Sequence, residues 1–165
     1  MYNRIRNFIK EKGVNELIHY LEYIITEATR YRKRIVLTLW VAVVIAAMLL
    51  IFPVIDIMVL TSGKNVAKEY ILAGVFTLGM IVAFYAIHVK IKLSHISEIL
   101  HISVLHRNRL VKIDKLYSSD DDKIRAAELA FKTYIRNISS VLSISRRKAL
   151  EMVFNRDIDN LLKCA

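Results

Sequence analysis

Apolar and polar residues alternate at helical spacing at both ends of the chain and give way in the middle to two long apolar runs. In "YNRIRNFIKEK" Ile5, Phe8 and Ile9 share one helical face, and Gly13 then interrupts the pattern. Asn15 is placed to cap a second helix, in which Leu17, Ile18, Leu21, Ile24, Ile25 and Ala28 recur at three- and four-residue intervals. Such a stripe either lies along a membrane surface or packs on other helices. Glu16, Glu22 and Glu27 would be repelled by anionic lipid, which favours packing.

The first apolar run, "IVLTLWVAVVIAAMLLIFPVIDIMVL", covers 26 residues, 35 to 60, with Asp56 as its only charge. The second, "YILAGVFTLGMIVAFYAIHV", covers 20 residues, 70 to 89, with no Asp, Glu, Lys or Arg. At about 1.5 Å per residue each can cross a hydrocarbon layer of about 30 Å. A cleaved signal peptide would be shorter and nearer the N-terminus, and a small soluble domain could hardly bury two helices that are apolar all round. The pattern therefore predicts a transmembrane hairpin with an outer loop at 61–69. Ala42 and Ala46, and Gly79 and Ala83, are small pairs four apart that permit close helix contact. Asp56 is expected near the outer interface, the alternative being a pore-lining carboxylate.

Beyond residue 90, "KIKLSHISEILHISVLHRNRLVKIDKLY" has no Pro or Gly and continues the helical pattern. Ile96, Leu100, Val104 and Val111 mark one side, and Ile99, Ile102, Leu110 and Ile113 adjoin it. A strand at "LHISVLH" is the less favoured reading. Ser119 with Asp122 reads as a capping-box-like start whose acids complement the helix dipole. Ile124, Ala127, Phe131, Tyr134, Ile138 and Val141 supply that helix's buried face, "VLSIS" ends it, and Ser145 opens a last helix carrying Leu150, Val153, Phe154, Ile158, Leu161 and Leu162. The fold expected is an all-α membrane protein. It comprises amphipathic helices at 1–34, spans at 35–60 and 70–89, and a three-helix cytoplasmic domain at 90–165.

Charge sets the orientation and narrows the partners. Six Lys and Arg flank the inner ends (Arg30, Arg32, Lys33, Arg34, Lys90 and Lys92) against Lys64 and Lys68 in the loop, which puts both termini in the cytoplasm. The net charge of +10 resides at 30–34 and beyond residue 90, so an anionic partner would bind on that side. Cys164 is the single cysteine, which excludes an internal disulfide.

No phosphate loop, metalloprotease motif or nucleophile elbow is present, and the tail histidines His95, His101 and His106 lack the spacing of a helical metal pair. No catalytic residue, metal or cofactor is predicted. The tail's His106, Arg107, Arg109, Lys112, Lys132, Arg136, Arg146, Arg147 and Lys148 form either a solvated face over acidic headgroups or a phosphate site. Three cations in a first helical turn oppose the helix dipole, and a bound phosphate would reverse that penalty. Tyr117, Tyr134 or a histidine could stack a base.

In layout the chain resembles small two-span prokaryotic effectors of nucleotide-signalling antiviral immunity. The basic tail resembles that of the type III CRISPR accessory membrane proteins, which recognise cyclic tetra-adenylate as tetramers. The 34-residue lead-in resembles that of the two-span effectors accompanying nucleotidyltransferase sensors. The resemblance implies a homo-oligomer, tetrameric in the first family, that binds a cyclic oligonucleotide and perturbs the lipid bilayer, with no duplex nucleic acid involved. The competing expectation is a non-catalytic membrane adaptor or structural subunit that docks a protein partner.

Overall fold

The computed structural model describes the backbone of residues 2–59, 66–155, 157, 160, 161 and 164, with side chains at these positions except 2–4, 56–59 and 66–68. Asp56, the outer-loop lysines Lys64 and Lys68, and Ile158 and Leu162 lie outside the described side chains. Four helices follow one another: α1 (Tyr2–Val59), α2 (Val66–Leu116), α3 (Asp120–Val141) and α4 (Arg146–Phe154). No strand occurs among the described residues, so "LHISVLH" is helical within α2.

The local signals account for most boundaries. Gly13, at φ 82° and ψ 169°, leaves helical geometry inside α1 and separates an N-terminal segment from the rest, as the sequence break predicts. Ser119 caps α3 by backbone position, without a side-chain hydrogen bond, while Asp120, Asp121 and Asp122 fill the first turn and complement its dipole. Ser145 caps α4 fully, its Oγ accepting from the Lys148 N–H at 3.2 Å.

Contacts divide the chain into two compact units, one of residues 1–32 with 94–165 and one of residues 33–93. In the first, α1 contributes Ile5, Ile9, Leu17, Leu21, Ile24 and Ala28 to a buried core. The N-terminal stripe therefore packs on helices, the second of its two predicted placements. α3 adds Ala127, Phe131, Tyr134 and Ile138, and α4 adds Ala149, Leu150 and Val153. Phe8 meets Phe154 edge-on with centroids 5.1 Å apart, and Phe131 lies 5.9 Å from Phe154. Aromatic burial of this kind gives a small domain a large share of its stability. The expected three-helix tail is thus completed by the N-terminal helices.

α2 presents a different face from the one read off its sequence. Ile96, Ile99, Ser103, His106, Leu110 and Ile113 are buried, whereas Val104 is exposed and Leu100 and Val111 are intermediate. The inward stripe runs through a serine and a histidine because polar partners meet them there. Ser103 Oγ donates to the Ile99 carbonyl at 2.8 Å and lies 3.2 Å from the Tyr134 hydroxyl.

The second unit is built the other way round. Its buried residues are small or compact: Ala42, Ala46, Pro53, Gly79, Ala86 and Val89. Trp40, Met48, Phe52 and Phe84 are each more than 60% exposed, an outward apolar surface that water would not favour. A Cβ on Gly79 would lie 2.9 Å from Leu50 Cδ2 and 3.1 Å from Leu49 Cβ, so α1 and α2 approach closely at this glycine. Ala83 is only half buried and Ala86 takes the inward place instead. Two helices are long and apolar enough to cross a membrane.

Candidate functional site

The turn between α3 and α4 decides where the cations go. Leu142 caps α3, Ser143 adopts φ 53°, the Ser143 N–H donates to the Ser140 carbonyl at 3.2 Å and the Ile144 N–H to the Ser139 carbonyl at 3.0 Å. This pair of bonds is a Schellman closure with serine where glycine is usual. Ser145 follows at once as the cap of α4. The chain therefore reverses within a few residues and brings Arg146 beside the C-terminal half of α3.

There a hollow of about 240 Å³ is lined by Ile5, Leu129, Lys132, Thr133, Ile135, Arg136 and Arg146. Lys132 and Arg136 are four apart on α3 and so share a helical face. Ile5 and Ile135 are buried and form an apolar floor. Lys132 Nζ is held by Glu128 Oε1 at 2.5 Å. Arg136 and Arg146 have no carboxylate partner among the described residues, and both are exposed. Two unneutralised guanidinium groups at one concavity repel each other, and an anion carrying two or more oxygens relieves that repulsion by forked hydrogen bonds.

The remaining predicted cations do not converge on this hollow. Arg107 reaches across to α1, its Nη2 2.6 Å and its Nε 3.1 Å from Glu22 Oε1. That contact holds the Glu22 carboxyl below its usual range, chiefly through the Arg107 hydrogen bond. Arg107 is thereby a clamp between helices and leaves the phosphate set. Arg147 pairs with Glu151 one turn on, at 3.1 Å, and Lys148 is exposed beyond it. Arg109 and Lys112 line a separate hollow with Leu105, Asn108 and Val111.

His106 is a correction. It is 2% exposed, stacked edge-on to Tyr134 at 5.6 Å, with Nε2 3.4 Å from Asn137 Nδ2. Burial first, and the Arg109 charge second, push its pKa below the ordinary histidine value, against a smaller opposing effect of the Ala130 backbone. It sits in the core as a neutral ring and cannot present a charge to a surface ligand. Tyr134 is fully buried, which raises its phenol pKa far above the ordinary value, so it offers no face for stacking. Tyr117 is 45% exposed and does.

Among the described residues no group of His, Cys, Asp and Glu is placed to hold a metal ion. No protein-family model, curated protein or solved structure matches this chain.

Of the nine positions expected from the sequence, Lys132, Arg136 and Arg146 line this one hollow. Thr133 and Leu129 are not among the nine, and their place on the rim follows from α3's phase once Phe131 and Tyr134 face inward.

Proposed function

We propose that this protein is a non-enzymatic membrane effector of antiviral defence, whose unit of residues 1–32 and 94–165 senses a cyclic oligoadenylate. The observation that carries the reading is the hollow in which Arg136 and Arg146 stand without a carboxylate partner among the described residues, next to Lys132. The outward apolar surface of residues 33–93 supports insertion in the inner membrane, and the Lys and Arg distribution supports cytoplasmic termini. Identical subunits, four in the favoured arrangement, place several such hollows around one cyclic polyanion of matching rotational symmetry. Because a single exposed ion contact is worth only about 1 kcal/mol or less, the ring supplies affinity that one subunit lacks. Ligand binding biases the ring toward one arrangement and, through α1 and α2, perturbs the bilayer by opening a pore or by depolarisation.

The test uses the full chain, since residues 1–32 belong to the same core as the tail. Purified protein in nanodiscs of neutral lipid is titrated with cyclic tetra-adenylate, with an Arg136→Glu, Arg146→Glu variant alongside. Salt-sensitive binding that the variant loses while retaining its helicity supports the reading. Equal binding by the variant moves the site elsewhere, and no binding by either protein at micromolar concentration rejects the sensor.

A second reading, an adaptor that docks a protein partner, draws on Leu105, Leu116 and Leu129, which are 57%, 77% and 68% exposed.

A further inference from the structure

The cationic hollow has a neighbour of different chemistry. A second hollow of about 400 Å³ is lined by Arg109, Ile113, Tyr117, Ala126, Leu129 and Thr133, among others, so that Leu129 and Thr133 belong to both. Leu129, 68% exposed, is the shared wall. From Ala126 to Arg136 is ten residues of one helix, a run of roughly 15 Å. The two hollows therefore form adjoining compartments along α3, one dominated by cations and one offering a tyrosine ring, a guanidinium plane and aliphatic walls.

Charge gives this groove a direction. Asp120, Asp121 and Asp122 occupy the first turn of α3, three residues or more beyond Tyr117 and at the same end of the helix. Lys123 at that end is already held by Asp114 at 2.6 Å. A phosphate placed at the Tyr117 end meets carboxylates, and one placed at the Arg136 end meets guanidinium groups that no carboxylate among the described residues neutralises. An uncharged planar group has the opposite preference: it gains from the Tyr117 ring and from Arg109, both of which stack on aromatic faces, and it is indifferent to the acids.

Building on the sensor reading, we propose that the groove is bipartite: Arg136 and Arg146 hold a phosphate while Tyr117, with Arg109, stacks the attached base. Tyr117 is then the residue that separates a nucleotide from any other phosphate, including a lipid headgroup or inorganic polyphosphate. Tyr134 and His106 are enclosed by the core, whereas Tyr117 is exposed and lines the second hollow, just after α2, where its side chain can be changed without disturbing a helix.

The experiment compares probes on one folded protein. The full chain, wild type or variant, is placed in nanodiscs of neutral lipid and titrated with cyclic tetra-adenylate and with inorganic tetraphosphate, and separately in nanodiscs containing anionic lipid. Wild type binds the nucleotide more tightly than tetraphosphate. Tyr117→Ala weakens the nucleotide about 5- to 150-fold, the range for loss of one stacked base, leaves tetraphosphate within about twofold, and Tyr117→Phe restores nucleotide binding. Arg136→Gln with Arg146→Gln weakens both probes. If Tyr117→Ala shifts both probes equally or neither, while the arginine pair still matters, the base compartment is wrong and the phosphate reading stands. If anionic lipid abolishes binding of both probes to wild type, the hollow is a headgroup site and the bipartite assignment falls. Failure of wild type to bind either probe overturns both the compartment and the sensor reading.

Discussion

The two units of this chain use apolar residues in opposite senses. In residues 1–32 and 94–165 the large side chains Phe131, Tyr134, Ile96 and Ile99 are fully buried. In residues 33–93 most large side chains are exposed, and the buried positions are Ala42, Ala46, Pro53, Gly79, Ala86 and Val89. One unit is stabilised by removing apolar area from water, and the other relies on close packing of small residues with its apolar area left outside. The contrast teaches that helix content alone says nothing about solvent; the size of the residues at the interface does.

The contrast breaks most visibly at its aromatic residues. Phe131→Ala in the first unit is expected to cost about 3–5 kcal/mol of unfolding free energy, read by chemical denaturation. Phe84→Ala, at a position 65% exposed, should change the stability of the purified protein in detergent by less than about 1 kcal/mol. Equal losses would mean that both units bury large side chains. Next in size is Gly79→Leu, which forces a branched side chain into Leu50 and Leu49. It is expected to cost about 1–3 kcal/mol in detergent melting, whereas Gly74→Ala, with nothing within 4 Å of its added carbon, should be neutral or slightly stabilising.

The first unit should also feel pH. His106 has a depressed pKa in the folded state, so below the ordinary value of 6.5 the unfolded chain takes up a proton that the core refuses. Stability is complete above pH 6.5 and falls as the pH drops from there through the folded pKa, at no more than about 1.4 kcal/mol per pH unit for one proton. Denaturation midpoints for His106→Gln between pH 7 and pH 5 should show a shallower slope than wild type. Smallest is Ser143→Gly: relieving a left-handed serine at the α3–α4 turn should raise stability by about 0.5–1 kcal/mol, seen as a higher melting temperature.

The long apolar runs, the break at Gly13 and the cap at Ser145 were legible because each depends on neighbours in sequence. The inward face of α2 was not. Ile102, Val104 and Leu105 make that helix apolar on more than one side, so periodicity alone offers several phases, and the true one admits Ser103 and His106 because Tyr134 and Asn137 meet them from α3. The Arg107 partner is hidden for a similar reason, since Glu22 lies 85 residues earlier in the chain. The nine candidate cationic and histidine positions reduced to three at one hollow because ion pairing and burial are settled by tertiary neighbours, and the turn that delivers Arg146 uses Ser143, which carries no glycine signal.

The interleaving of the first unit has a consequence for biosynthesis. Residues 1–32 leave the ribosome early, yet the helices that enclose Ile5, Ile9 and Leu21 come only after residue 93. At roughly 5–20 residues per second the nascent stripe waits several seconds without its lining. During that interval its apolar side chains lack the core that encloses them in the folded chain.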